Sequence, residues 1–180
     1  MKWVIDHLKN YPQIAVEVID LKTWNLPLFA YPLPPMMGEY SSDLTKQWSK
    51  AIRAADGYIF VTPEYNHSFP AALKNALDYL HYEWNYKPVA FVSYGASSGG
   101  IRAVEQLRQV VSELKMVGVR EDINIAFPSK SFDQYGKLAD HVETKMSTMI
   151  SELIWWANTL KTARIEKSVK KHASKILAKA

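Results

Sequence analysis

Between Gly57 and Leu80 a short apolar run gives way abruptly to polar and turn-forming residues and then to an amphipathic pattern. Gly57-Tyr58-Ile59-Phe60-Val61 is rich in aromatic and β-branched residues and reads as a buried parallel strand. Leu73, Ala76, Leu77 and Leu80 recur at helical spacing, with Pro70 in the first turn, where its missing N–H costs little. The residues between them form a loop at the carboxyl end of a strand, which is where open α/β sheets bind ligands.

The rest of the chain alternates in the same way, with no internal repeat and no low-complexity linker. A helical piece from Trp3 to Lys9 leads into Ile14–Asp20, whose Ile14, Val16 and Val18 alternate as in a strand. Trp24 to Pro35 is too proline-rich for a regular element and too apolar to lie fully exposed. It packs on its own subunit, on a partner subunit or on a substrate. A helix from about Asp43 to Ala55 has Leu44, Trp48, Ala51, Ile52 and Ala55 on one stripe, and Ser42 or Asp43 can cap it. Pro88–Ser93 is a second buried strand, followed by the small-residue loop Tyr94–Gly100. Val104, Leu107, Val111 and Leu114 mark a helix, and Ile123, Ile125 and Phe127 a last strand. A long helix from about Leu138 to Arg164 turns Met146, Ile150, Leu153, Ala157 and Leu160 inward. Trp155 and Trp156 are adjacent, so one faces away from that stripe and packs on the proline-rich loop or on a second subunit.

The 180 residues, 48% of them hydrophobic, suit one α/β unit with a sheet covered on both faces. No run approaches the roughly 20 apolar residues of a membrane span, and charges in Met1–His7 argue against a signal peptide. With no cysteine there is no disulfide, no thiolate nucleophile and no iron–sulfur cluster, so redox chemistry would need a bound cofactor. The net charge of +4 is uneven. Seven of the 22 basic residues but only one of the 18 acids lie from Lys161 onward, so the body is slightly acidic and nucleic acid is not expected as a partner. Residues 1–164 read as the domain and 165–180 as a basic tail. Lys167–Lys179 suits either a weakly amphipathic helix touching anions or membrane, or a solvated terminus.

Thr62 through Asp78 matches the pattern T-P-E-Y-N-x-S-x-P-x-x-L-K-N-A-x-D at every stated position. This resembles the NAD(P)H-dependent FMN reductase family, flavodoxin-like enzymes that include quinone, azo-dye and chromate reductases. The resemblance implies an α/β, doubly wound parallel sheet of flavodoxin-like order. It implies bound FMN, NADPH or NADH as co-substrate, and a small-molecule electron acceptor. It also implies a homodimer or homotetramer in the cytoplasm, with no membrane and no nucleic acid as partners.

By the same resemblance Pro63, Glu64, Tyr65 and Asn66 form a first flavin-contacting loop, and Ser93, Tyr94 and Gly95 a second. Gly99 and Gly100 let the backbone turn closely before the next helix. No catalytic side chain is compulsory, because the flavin ring itself carries out hydride transfer. Lys74, Asn75 and Asp78 lie opposite the apolar stripe of their helix and suit structural hydrogen bonds or a subunit contact. His67 reads as a hydrogen-bonding loop residue, and the histidines have no metal-ligand spacing.

One departure concerns the amino terminus. Family members open with a strand and a phosphate-binding loop of the type G-S-x-R, whereas this chain begins inside the helix that follows them. The sheet is therefore expected to be N-terminally incomplete, without its first central strand, and Ile14–Asp20 to lie across a gap from the Gly57 strand or to pair with it directly. Two explanations stay open: Met1 is an internal methionine of a longer protein, or the chain is a degenerate member with a weakened hold on FMN. The reductase reading accordingly stands beside two alternatives, a flavodoxin-like electron carrier and a non-enzymatic member that no longer binds FMN.

Overall fold

Ser42 stops the proline-rich loop and starts a helix, its hydroxyl accepting from Thr45 N at 3.4 Å. From that cap α3 (Asp43–Ala54) runs with Trp48 and Ile52 buried on one side, and it feeds β1 (Tyr58–Pro63). The structure, a computed structural model, describes the backbone of residues 1–177 and the side chains of residues 1–167. Before α3 lie α1 (Lys2–Leu8), α2 (Leu21–Trp24) and a 3-10 turn at Pro35–Met37. After β1 come α4 (Ala71–Asp78), β2 (Pro88–Gly95), α5 (Ile101–Glu113), β3 (Val117–Ala126), α6 (Pro128–Ser131) and α7 (Asp140–Leu177).

The three strands form one parallel sheet in the order β1-β2-β3, with Val61 opposite Val92 and Val92 opposite Ile123. Alternation along β2 splits the core in two. Val89 and Phe91 point to a cluster with Trp48, Ile52, Leu77, Trp84, Val104 and Leu107 from α3, α4, α5 and the segment after α4. Ala90 and Val92 point to a second cluster with Val4 and Leu8 of α1 and Met146, Met149 and Ile150 of α7. Helices therefore cover both faces, the doubly wound α/β arrangement.

β3 begins at Val117, earlier than the Ile123–Phe127 alternation indicates, because Arg120, Glu121 and Asp122 interrupt the apolar pattern. Arg108 and Lys145 pair with these acids and keep the charges at the sheet edge. β3 also stops at Ala126, and Phe127 turns out of it in the left-handed region at φ 44°.

Ile14–Asp20 is not a strand, contrary to its alternation. A cavity of about 740 Å³ separates it from β1, lined by residues 13–19 on one side and by Tyr58, Ile59, Phe60 and Val61 on the other. Alternation becomes a strand only when another strand lies within hydrogen-bonding distance, about 4.8 Å. Across the gap none does, and Val16 and Val18 remain about half exposed.

The proline-rich loop packs on its own chain. Trp24, Leu26, Phe29 and Tyr31 lie against the α3–α4 cluster. Asn75 of α4 accepts from Phe29 N and donates to the Leu26 and Pro27 carbonyls, which gives this residue of the signature a structural role. Trp156 joins the α7 cluster, and Trp155 points away from it, 60% exposed. The proline-rich loop sits on the opposite face of the sheet, so Trp155 does not pack there. α7 carries helical backbone across residues 164 and 165 to Leu177. The amphipathic face expected of Lys167–Lys179 lies outside the described side chains. No described helix is long and apolar enough to cross a membrane.

Phe91, fully buried at the centre of β2, tests this arrangement. Phe91→Ala should destabilise the fold by about 3 to 5 kcal/mol, read as a lower urea midpoint with an unchanged slope.

Candidate functional site

The carboxyl ends of β1, β2 and β3 lie side by side, and an exposed aromatic residue stands at or just beyond each: Tyr65, Tyr94 and Phe127. After β1, Tyr65 and Ser68 exchange both backbone hydrogen bonds, Tyr65 N to Ser68 O at 2.8 Å and Ser68 N to Tyr65 O at 3.0 Å. Asn66 and His67 between them have φ of 50° and 66°. Two successive left-handed residues make the tight mirror-image turn that asparagine favours, which accounts for Asn66. Gln106 of α5 clamps this turn, accepting from Ser68 Oγ and donating to His67 O. Nothing in its helical spacing separates Gln106 from an ordinary solvent-facing residue.

The first two loops are fastened to each other through Glu64. Its N–H donates to Tyr94 O at 2.9 Å. Its carboxylate accepts from Ser98 Oγ at 3.0 Å, Arg102 N at 3.1 Å and an Arg102 guanidinium nitrogen at 3.3 Å. Partial burial pushes the Glu64 carboxyl upward, but the Ser98 and Arg102 hydrogen bonds outweigh it and hold the pKa below the ordinary 4.5. The Glu64 carboxylate is thus taken up within the protein, and the groups left facing outward are the Tyr65 ring and the exposed Asn66.

Ser93 is fully buried. Its hydroxyl donates to Gly99 O and accepts from Asn124 Nδ2, both at 2.9 Å, so it braces the second loop from below and offers no side-chain contact to a ligand. The glycines explain how close that loop lies. A Cβ on Gly100, whose φ is 92°, would sit 2.6 Å from Ser93 Cβ, and one on Gly99 would sit 2.9 Å from the Asn124 carbonyl carbon. Tyr94 and Gly95 remain accessible at the rim. Burial, and then the nearby Tyr65, raise the Tyr94 hydroxyl above its ordinary pKa, so Tyr94 is a neutral ring at physiological pH.

A third element joins these loops. Phe127 N donates to Gly95 O at 2.8 Å, and the Phe127 ring is about half exposed beyond the end of β3. Its alternation with Ile123 and Ile125 hides this placement, because the left-handed turn falls one residue after the ladder ends. A non-glycine residue held in the left-handed region is a strained position of the kind that gathers at functional sites. Lys130 supplies positive charge nearby, its Nζ 6.0 Å from the Phe127 ring centre, while the Arg102 charge is matched by Glu64. Lys74 and Asp78 pair with each other at 2.6 Å on α4. Among the described residues no cluster of His, Asp or Glu is arranged to hold a metal ion.

The pattern of the NADPH-dependent FMN reductase family matches residues 1–128. This chain belongs to that family. It is 46% identical over 116 residues to an NAD(P)H-dependent FMN reductase of Schizosaccharomyces pombe, covering 63% of this chain and 58% of the relative. It is 32% identical over 150 residues to a quinone reductase of Pseudomonas putida, covering 79% and 78%. The chain spans a little over half the length of the first of these. Its fold is like that of the flavoenzyme NAD(P)H:acceptor oxidoreductase FerB of Paracoccus denitrificans, with a TM-score of 0.67 over 86% of each chain at 18% identity.

Glu64→Gln tests the clamp. The variant keeps the shape and loses the charge, so amide protection at Arg102, whose N–H donates to Glu64, should fall about tenfold at neutral pH, the loss of one charge-assisted hydrogen bond. The wild-type protein should show the same loosening only in acid. A carboxylate whose folded pKa lies below 4.5 stabilises the fold above 4.5 and loses that contribution as pH falls through the lowered value. Hydrogen exchange followed by mass spectrometry reads both outcomes.

Proposed function

We propose that the chain is an FMN-dependent oxidoreductase that takes reducing equivalents from NADPH or NADH and passes them to a small acceptor such as a quinone, an azo compound or free flavin. The observation that carries this reading is the fastening of two loops at neighbouring strand ends, with the Tyr65, Tyr94 and Phe127 rings exposed around them. Relatives named as FMN reductases and quinone reductases support it.

The residues present fit a flavin ring. Exposed aromatic faces favour offset or edge contact with a planar conjugated system. Gly95, with the close turn at Gly99 and Gly100, leaves backbone rather than side chains beside it. Pro63 to Asn66 and Tyr94 to Gly95 would hold the ring, with Ser93 bracing the second loop from beneath. When bound, FMN supplies the acceptance and onward transfer of a hydride. The protein's own part is to orient and to shield. The Glu64 clamp fixes the separation of the two loops and caps the start of α5 through Arg102 N. Phe127, half exposed beside the second loop, would help to keep water from a bound ring.

We also propose a homodimer. Leu28, Leu33, Met36 and Met37 on the proline-rich loop, and Trp155 on α7, expose apolar surface that a second copy would cover.

With FMN added, the purified chain should oxidise NADPH steadily in the presence of benzoquinone. A bound flavin that accepts electrons singly but gives no NADPH oxidation would favour an electron carrier instead. Tyr94→Ala should weaken FMN and riboflavin alike by about tenfold, since a ring contact worth about 1.4 kcal/mol is lost in both. Fluorescence titration of the two flavins checks it. A loss confined to FMN would mean that Tyr94 serves the phosphate and not the ring.

A further inference from the structure

The Tyr65 ring is 61% exposed, so core packing does not fix its direction and the backbone turn beneath it must. That turn is costly to hold. Asn66 and His67 are both left-handed, at φ 50° and 66°. Asparagine takes this conformation readily, but the second position of a two-residue mirror-image turn ordinarily falls to glycine, and here a histidine occupies it. The Cβ of histidine disfavours the left-handed region by about tenfold relative to glycine.

Gln106 of α5 offsets that cost. Its Nε2 donates to His67 O at 2.8 Å, and its Oε1 accepts from Ser68 Oγ at 2.6 Å. A backbone carbonyl only accepts, so His67 O fixes which end of the amide faces it and leaves Oε1 for the serine. One helical turn earlier on α5, Arg102 holds Glu64. Residues four apart share a helix face, so one face of α5 grips the first loop twice. Arg102 fixes where the loop starts, and Gln106 fixes the turn itself.

We propose that Gln106 is a positioning residue for the flavin: by holding His67 in the left-handed region it keeps the Tyr65 ring in place for the isoalloxazine. The proposal rests on the flavin reading of the two loops. In this role Gln106 acts through Tyr65 and makes no contact with the cofactor. Without the amide, the turn opens to conformations in which Tyr65 and Ser68 no longer exchange their backbone hydrogen bonds, and the ring loses its fixed position. A glycine at position 67 would hold the turn without help. The clamp is needed because residue 67 carries a side chain.

Two measurements on the whole chain test it. In the flavin-free protein, hydrogen exchange followed by mass spectrometry should show the Ser68 amide, which donates to Tyr65 O, about tenfold less protected in Gln106→Leu than in the wild type. Fluorescence titration should show riboflavin and FMN both weakened about tenfold by Gln106→Leu, because the ring common to both loses a contact. Adding His67→Gly to Gln106→Leu should restore protection and affinity to within about twofold of the wild type. In a Tyr65→Ala background, Gln106→Leu should cost less than about twofold, because the residue it acts through is gone. Unchanged Ser68 exchange in Gln106→Leu overturns the clamp. Failure of His67→Gly to rescue overturns the proposal, since a general stabilising role for Gln106 in α5 would not respond to residue 67. So does a full effect of Gln106→Leu in the Tyr65→Ala background. A wild type that binds neither flavin overturns the flavin reading and the positioning role with it, an outcome told apart from failure of the clamp by the Ser68 exchange.

Discussion

Burial of β2 on both faces is the constraint from which the rest follows. Val89, Ala90, Phe91, Val92 and Ser93 are at most 1% exposed, so each face of this strand needs its own layer of helix. Parallel neighbours can be joined only by crossovers, and α4 and α5 serve both as those crossovers and as the apolar cover of one face. The same connectivity brings the carboxyl ends of all three strands to one edge. The site is thus a consequence of how the core is covered.

At that edge the backbone positions are set by side chains bonded to other parts of the protein. Ser93 and Asn124 pull the second loop down onto the strand ends, and the lack of a Cβ at Gly99 and Gly100 permits the approach. Glu64 then joins the first loop to the second and to the start of α5. Residues in one conspicuous motif therefore divide their work. Glu64 holds, Asn66 turns, and Tyr65 presents a surface. Asn75 acts further along α4 and secures a loop about 48 residues earlier in the chain.

Local pattern was enough for a good part of this. The apolar runs at Gly57 and Pro88, the turn residues after them and the periodicity of α3, α5 and α7 are set by interactions within a few residues, so they read directly from sequence. The two loops were legible for the same reason, being tied to strand ends that are themselves locally encoded. The Ile14–Asp20 segment was misread because alternation reports only what a chain could pair with. Whether a partner strand lies within reach is settled elsewhere, and here a cavity intervenes.

By itself the sequence determined the layered α/β class, the family signature from Thr62 to Asp78 and the absence of thiol chemistry, all of which depend on residue type and short spacing. Tertiary structure alone decided that Ser93 is a buried brace, that Phe127 leaves its strand with its N–H on Gly95 O, and that Gln106 clamps the first loop. Each of these depends on which distant backbone comes within about 3 Å of a given side chain, and that distance is set by the packing of whole elements.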